Sequence, residues 1–131
     1  MLRLRPPHPD ELEHLSALCR RSKAIWGYDA AFLEACRREL TLTAADLQET
    51  RLQIAEDDAE IAGLTQVSTE GSEAVLEKLF VEPALLRTGA GRLLFRWAAD
   101  TARDAGATRM SIDADPGAAA FYIRMGRGRS A

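Results

Sequence analysis

Two closely spaced glycines stand at the start of a predicted helix, directly after a predicted buried strand. Gly89 and Gly91 are flanked by Arg87 and Arg92. The first amide N–H groups of a helix have no intrahelical partners and carry partial positive charge, and glycine lets a ligand approach the backbone closely. The segment therefore predicts an anion-binding turn, to which both arginines can add charge-assisted hydrogen bonds.

These glycines do not establish such a site by themselves. A tight strand–helix connection whose glycines serve only packing is an alternative that the segment leaves open. A dinucleotide fingerprint is disfavoured, because the third glycine of that motif is missing and the preceding strands form hairpins.

The histidines and cysteines do not predict a metal site. His8 and His14 form no cluster with cysteine or carboxylate side chains at ligand spacing. Cys19 and Cys36 fall in helical patterns, which favours buried free thiols in a reducing compartment. We therefore expect a cytoplasmic protein without a bound metal.

Size and charge limit the classes of function. The 131 residues fit one domain, 1–131, with 47% hydrophobic and 28% charged residues. A net charge of −3, from 17 basic and 20 acidic residues, gives no support for nucleic-acid binding. No apolar run approaches the ~20 residues that span a bilayer, and the N-terminus lacks the apolar stretch of a secretory signal. Neither a nucleic-acid nor a membrane partner is expected.

The apolar periodicity predicts the elements that position the turn. Strands are predicted at Leu2–Arg5, Arg51–Glu56, Ala59–Ser68, Glu73–Val81 and Thr108–Ala114. Helices are predicted from Pro9, over Asp29–Leu40, over Gly89–Ala105 with Gly106 at C′, and over Asp115–Arg124, and Thr43 is expected to cap a short turn through Leu47.

This order of elements, βααβββαβα, indicates an α/β (α+β) fold with a mixed, mainly antiparallel sheet and helices on both faces. The Glu73–Val81 strand is predicted to be central, with both faces buried. Its two faces are read as Val75, Leu79, Val81 and as Ala74, Leu76, Phe80.

A second segment, Ala118–Gly126, reads A-A-A-F-Y-I-R-M-G. Together with the element order, the V-x-P of Val81 and Pro83 and the Gly89-x-Gly91 turn, it resembles the GNAT superfamily of N-acetyltransferases over nearly the whole chain. The loop over 22–29 is also similar to one branch of the bacterial members.

The resemblance implies acetyl-coenzyme A as cosubstrate and a set of residues that hold it. The pyrophosphate would lie on backbone amides of the glycine turn, and the pantetheine arm would pair with main-chain groups of the preceding strand. The residues assigned to cofactor binding are Leu79, Phe80, Val81, Arg87, Thr88, Gly89, Ala90, Gly91, Arg92, Gly117 and Phe121.

The resemblance also implies direct transfer of the acetyl group to a primary amine. Tyr122 would protonate the departing thiolate, since a phenol is a suitable acid for that leaving group. Glu77 would accept the proton of the amine directly or through water, with a pKa raised by burial between helices. A carboxylate paired with an arginine is the alternative reading of Glu77, and in many such enzymes the amine loses its proton to water. Glu73 is the poorer candidate on the same face.

Trp26 and Tyr28 would shape the acceptor pocket, because the connection between the first two helices has that role in the family. Trp26 covering the core is the alternative. An aromatic wall favours an acceptor with apolar or aromatic character, a small molecule or a peptide amine.

Two positions and the C-terminus depart from the family pattern. Leu86 stands where the family usually has glutamine or arginine, and Arg87 where it has glycine. Family members continue with two more strands, so a C-terminally truncated GNAT fold is expected. The free edge of the strand over 108–114 would then be covered by a second copy, giving a homodimer. A degenerate domain that binds acetyl-coenzyme A without turnover, and a structural domain without ligand, are the competing functions.

Overall fold

A computed structural model describes residues 1–112 and 118–127. Its five strands are β1 (Leu2–Arg5), β2 (Arg51–Asp57), β3 (Glu60–Glu70), β4 (Glu73–Val81) and β5 (Arg109–Ile112). They form one sheet in the order β1-β2-β3-β4-β5, antiparallel throughout except for the parallel β4–β5 pair. The predicted mixed, mainly antiparallel sheet is confirmed.

Five α-helices and two short 3-10 turns complete the described part of the chain. The helices are α1 (Leu12–Ala24), α2 (Ala30–Ala35), α3 (Ala44–Glu49), α4 (Ala90–Asp104) and α5 (Ala119–Arg127). The 3-10 turns are Pro9–Glu11 and Pro83–Leu85. The predicted Asp115–Pro116 helix start lies outside the described residues.

Helices cover both faces of the sheet, as predicted. On one face, Leu15 of α1 packs in a buried cluster with Ile54 and Leu64 of the sheet. On the other face, Phe95 of α4 packs with Val67 and other sheet residues. Strand β3, the middle strand of the sheet, is buried on both faces over most of its length and packs against α1 and α4.

Helix α2 is shorter than the sequence predicts. It ends at Ala35 rather than at Leu40. The chain then continues in hydrogen-bonded turns, in which the Leu40 amide donates to the Cys36 carbonyl at 3.1 Å. Leu40 and Leu42 are both buried in the α1-side core. Tertiary burial therefore outweighs the local helical periodicity.

Helix α4 ends shortly before Gly106. Gly106 adopts a φ of 98° directly after the helix. The Ala107 amide donates to the Ala102 carbonyl at 3.0 Å and the Gly106 amide donates to the Arg103 carbonyl at 2.9 Å. These two bonds form a Schellman motif and confirm Gly106 at the C′ position.

A β-bulge in β4 contradicts the predicted division of its faces. Gln66 of β3 pairs with Lys78, and the next residue, Val67, pairs with Leu76, so Glu77 is the extra residue. An inserted residue reverses the alternation of side chains beyond it. Leu76 and Leu79 consequently face α4 together, whereas the sequence placed them on opposite faces.

One face of β4 is exposed over the first half of the strand, up to the bulge. Val75 is 39% exposed and Glu73 and Glu77 are exposed, whereas Ala74 and Leu76 are buried. The prediction that both faces are buried is therefore wrong for the first half of this strand.

Both cysteines are free thiols in the structure. Cys19 lies fully buried in the α1-side core, and burial raises the pKa of its thiol to about 12. Cys36 is half-buried against the same core. A thiol with so high a pKa is an apolar packing group rather than a nucleophile.

Candidate active site

Within the described residues, β5 pairs with only the first half of β4. Their parallel pairing runs from Glu73–Arg109 to Leu76–Ile112, where the described part of β5 ends. The pairing of β4 with β3 on its other side continues to Val81, opposite Gly63. The second half of β4 is therefore held from one side only, within the residues that the structure describes.

The direction of the amides in this half follows from one hydrogen bond. The Glu82 amide donates to the Ala62 carbonyl of β3 at 2.7 Å. Because backbone groups alternate in direction along a strand, the amides of Val81 and Leu79 point away from β3. They face the side on which the described β5 has ended, which suits the pairing of an extended ligand arm.

The connection from β4 to α4 turns through two left-handed residues. Arg87 has a φ of 70° and Gly89 a φ of 96°. The Leu85 amide donates to the Glu82 carbonyl at 2.8 Å, and the Thr88 hydroxyl donates to the Leu85 carbonyl at 2.8 Å. A side chain at a left-handed φ such as that of Arg87 costs roughly 1–2 kcal/mol, a cost that glycine avoids.

Helix α4 begins without a side-chain cap. Gly89 occupies the N-cap position and has no side chain that could accept from the first amides. Arg87 and Arg92 are exposed on either side of this start. Amides at the start of a 15-residue helix, flanked by two arginines, can bind an anionic group. The predicted anion-binding turn thus has the required backbone geometry.

Helix α5 packs against this helix start. The ring of Phe121 lies 3.5 Å from the position that a Cβ on Gly91 would take. Phe121 and Tyr122 also contact Phe95 of α4, with ring centroids 6.3 and 5.9 Å away. Tyr122, half-buried, is thereby held on the α4 side of the sheet. Gly117, the remaining predicted cofactor residue on this segment, lies outside the described residues.

Glu77 occupies the bulge of β4, directly after Leu76, the last residue of β4 that pairs with the described part of β5. Its Oε2 accepts a hydrogen bond from the Ser68 hydroxyl at 2.6 Å. The side chain is exposed. The expectation of burial between helices is wrong, because the inserted residue places Glu77 on the uncovered part of the sheet. Its partner is a serine on β3 and not the arginine of the alternative reading.

The loop after α1 forms a small aromatic group. Tyr28 packs on Phe32 of α2 with ring centroids 4.4 Å apart, and the Lys23 ammonium lies 5.2 Å from the Tyr28 centroid. Trp26 is half-buried and belongs to none of the three hydrophobic clusters that the described residues form. Phe32 is a member of this group that the sequence analysis did not single out.

Two polar contacts near the site were not predicted. Lys78, beside the bulge, donates to the Gln66 side chain at 3.0 Å, and Gln66 in turn donates to Asp46 at 3.1 Å. Arg21 of α1 forms a two-point ion pair with Glu82, the residue after β4. The partners of both contacts come from distant parts of the sequence, so no local pattern could have found them.

Residues 1–112 and 118–127 contain neither a candidate metal site nor a candidate membrane span. Their histidine, cysteine and acidic side chains form no group of three or more that could hold a metal ion. None of the helices in this part combines the length and the apolarity that a bilayer span requires.

A family model described as the acetyltransferase (GNAT) domain matches residues 14–127. No curated protein matches the sequence significantly.

Three solved structures illustrate the similarity of fold. PaiA N-acetyltransferase from Thermoplasma acidophilum, in complex with coenzyme A, has 18% identity and a TM-score of 0.81 over 95% of this chain and 87% of its own. A GCN5-related N-acetyltransferase from Ralstonia eutropha has 20% identity and a TM-score of 0.80, covering 100% and 94%. Glucosamine-6-phosphate N-acetyltransferase from Arabidopsis thaliana has 13% identity and a TM-score of 0.68, also covering 100% and 94%.

Proposed function

The chain belongs to the acetyltransferase (GNAT) domain family, and we propose that it transfers the acetyl group of acetyl-coenzyme A to a primary amine by direct attack. The observation that carries this proposal is the arrangement of two sets of amides along one segment. Leu79 and Val81 point their amides away from β3, and α4 begins at Ala90 without a side-chain cap.

The cofactor site fits this arrangement. Backbone amides over 87–92 would hold the pyrophosphate, with Arg87 and Arg92 adding charge. Main-chain groups of Leu79 to Val81 would orient the pantetheine arm, and an amide there would polarise the thioester carbonyl. Phe121 would contact the cofactor beside Gly91, and Gly117 is proposed for the same site. Acetyl-coenzyme A, when bound, supplies an activated acyl group.

The acid and the base come from opposite sides of the sheet in this proposal. Tyr122 on the α4 side would give its phenolic proton to the sulfur that leaves when the carbon–sulfur bond breaks. Glu77 would accept the proton that the amine loses on forming the new carbon–nitrogen bond, directly or through water. Its exposed position on β4 supports access to an incoming amine, with Ser68 orienting the carboxylate.

The acceptor would enter from the side of the loop after α1. Trp26 and Tyr28 would contact its apolar part, and Tyr28 is supported from behind by Phe32. One structural neighbour is named for an amino sugar phosphate, and the acceptor proposed for this chain is likewise a small-molecule amine or a peptide amine.

A second copy of the chain is proposed to cover β5. This strand is last in the strand order, so its outer backbone edge pairs with no other described strand. An exposed edge favours pairing with another strand, and a copy of the same chain offers one. Sedimentation velocity at two concentrations tests this: a dimer is expected, and a single monomeric species at both concentrations would contradict it.

Two measurements test the proposed activity. Saturating acetyl-coenzyme A should raise the thermal midpoint of the chain, since a ligand that binds only the folded state stabilises it. Release of free thiol is then followed with a panel of primary amines. No thermal shift at millimolar cofactor would reject cofactor binding altogether. A shift without thiol release for any amine would instead identify a domain that binds acetyl-coenzyme A without turnover.

A further inference from the structure

Helix α1 is tied to the residue at which β4 ends. The Nε of Arg21 lies 2.8 Å from one carboxylate oxygen of Glu82, and its Nη2 lies 2.8 Å from the other. The guanidinium holds the pKa of Glu82 below its ordinary value, so the carboxylate is charged at neutral pH. A two-point contact of this kind fixes direction as well as distance.

Glu82 is held by its backbone as well. Its amide donates to the Ala62 carbonyl at 2.7 Å, and its carbonyl accepts from the Leu85 amide at 2.8 Å. The Thr88 hydroxyl donates to the Leu85 carbonyl at 2.8 Å, one residue before Gly89. A continuous path of short hydrogen bonds therefore links α1 to the N-cap of α4.

The charge of Glu82 bears on the binding of an anion, because of the position of this residue in the sequence. Glu82 lies between the two sets of amides assigned to the cofactor, those at Leu79 and Val81 and those over 87–92. A carboxylate there opposes the binding of a diphosphate unless a cation neutralises it. Arg21 provides that neutralisation through direct contact.

We propose that Arg21 and Glu82 are a positioning pair for acetyl-coenzyme A. The pair fixes the β4–α4 turn against α1, and Arg21 additionally shields the bound diphosphate from the Glu82 charge. The inference rests on the proposed function, because the ligand is the cofactor proposed there. It assigns no contact with the reacting atoms to either residue.

The two roles predict an asymmetry between single variants. Arg21→Gln removes the anchor and leaves the carboxylate unneutralised, whereas Glu82→Gln removes the anchor together with the negative charge. Arg21→Gln should therefore weaken acetyl-coenzyme A binding on the order of tenfold, and Glu82→Gln by less. The double variant should bind better than Arg21→Gln alone, because the unpaired charge is gone.

The experiment is calorimetric titration of each variant with acetyl-coenzyme A at low and at high salt. The loss in Arg21→Gln should shrink at high salt, because screening weakens the repulsion. Arg21→Lys, which keeps the charge but loses the two-point geometry, should lie between Arg21→Gln and the parent. Arg103→Gln is the matched control, since it breaks the Arg103–Asp100 ion pair near the far end of α4.

The outcomes separate the inference from the proposed function. A parent chain that binds no acetyl-coenzyme A overturns both. A parent that binds, with Kd unchanged in Arg21→Gln while its thermal midpoint falls, overturns only the positioning role, because the pair would then serve stability alone. If Arg21→Gln does not fold, Arg21→Lys and Glu82→Gln decide: parental Kd values in both would overturn the inference.

Discussion

Phe121 of α5 fills the space into which a side chain on Gly91 of α4 would project. Two ring carbons lie 3.5 Å from that Cβ position, and a Val81 methyl carbon lies 3.8 Å from it. The first turn of α4 is thus in direct contact with α5 on one side, while its amides face outward at the helix end. A methyl group at residue 91 would meet the Phe121 ring and not an anion bound at the amides.

Gly91→Ala should therefore stabilise the fold without weakening the cofactor site. The new contact is of ordinary van der Waals length, and alanine in a helix gains up to ~1 kcal/mol over glycine. Gly89→Ala is the matched comparison, because its φ of 96° should make it lose roughly 1–2 kcal/mol. Urea denaturation measures both. A loss of stability in Gly91→Ala comparable to that in Gly89→Ala would show that the Phe121 ring cannot accept the methyl group.

Arg87→Gly should separate backbone strain from charge. Glycine relieves the left-handed φ of 70° at this residue and should raise the free energy of unfolding by about 1 kcal/mol. It also removes a cation from the proposed pyrophosphate site, so acetyl-coenzyme A should bind less tightly. Arg87→Ala loses the same charge and keeps the strain. Equal unfolding free energies for these two variants would show that residue 87 is not strained.

Ala59→Gly should stabilise the β2–β3 hairpin. The turn consists of Asp58 and Ala59, with φ of 50° and 75°, one residue later than the sequence indicates. Two-residue hairpin turns of this kind prefer glycine at the second position, and the expected gain is about 1 kcal/mol. Ala45→Gly in α3 is the control and should lose up to ~1 kcal/mol. Thermal unfolding of both variants provides the measurement, and a lower midpoint for Ala59→Gly than for the parent would contradict the prediction.

Lowering the pH should weaken the ion pairs that join β1 to the 3-10 turn Pro9–Glu11 and to β2. Arg5 contacts Glu11 at 2.7 Å and Glu56 at 2.8 Å, and these contacts hold the pKa of both carboxyls below their usual range, that of Glu11 at about 2. A lowered folded-state pKa contributes stability above the ordinary value of 4.5 that disappears as the pH falls toward 2. Glu11→Gln should flatten the pH dependence of stability in this window. Parallel curves for the variant and the parent between pH 5 and pH 2 would argue against this coupling.

Tyr122→Phe tests the proposed acid with little change of packing. The phenylalanine ring keeps the contacts with Phe95 and Phe121, whose centroids lie 5.9 and 5.1 Å away. Loss of a general acid lowers turnover by roughly 100-fold or more. The rate of thiol release, with the preferred amine at saturation, is the quantity to compare. Turnover that survives the substitution unchanged would mean that another group protonates the sulfur.

The sequence anticipated the features that depend on neighbours along the chain. The alternation in Leu2–Arg5 and the stop of α4 at Gly106 are local patterns, and both appear in the structure as expected. The helix predicted through Leu40 ends at Ala35 instead, and the burial of Leu40 and Leu42 in the α1-side core is a tertiary contact that local periodicity does not show.

The candidate site also has one part that the sequence predicts and one part that it does not. The turn at Gly89 and Gly91 follows from glycine spacing, and the structure gives it the backbone geometry of an anion site. The environment of Glu77 does not follow, because the bulge that exposes it depends on how β4 registers with β3. A bulge changes side-chain direction without leaving a mark in residue type.

By itself, the amino-acid sequence determined the order of elements, the family resemblance and the place of the turn, since these arise from periodicity and short-range backbone chemistry. Only the tertiary structure decided which face each residue of β4 occupies and that Arg21 meets Glu82 across 61 positions. Contacts between distant segments form only when the whole core packs, and no local pattern encodes which pair will meet.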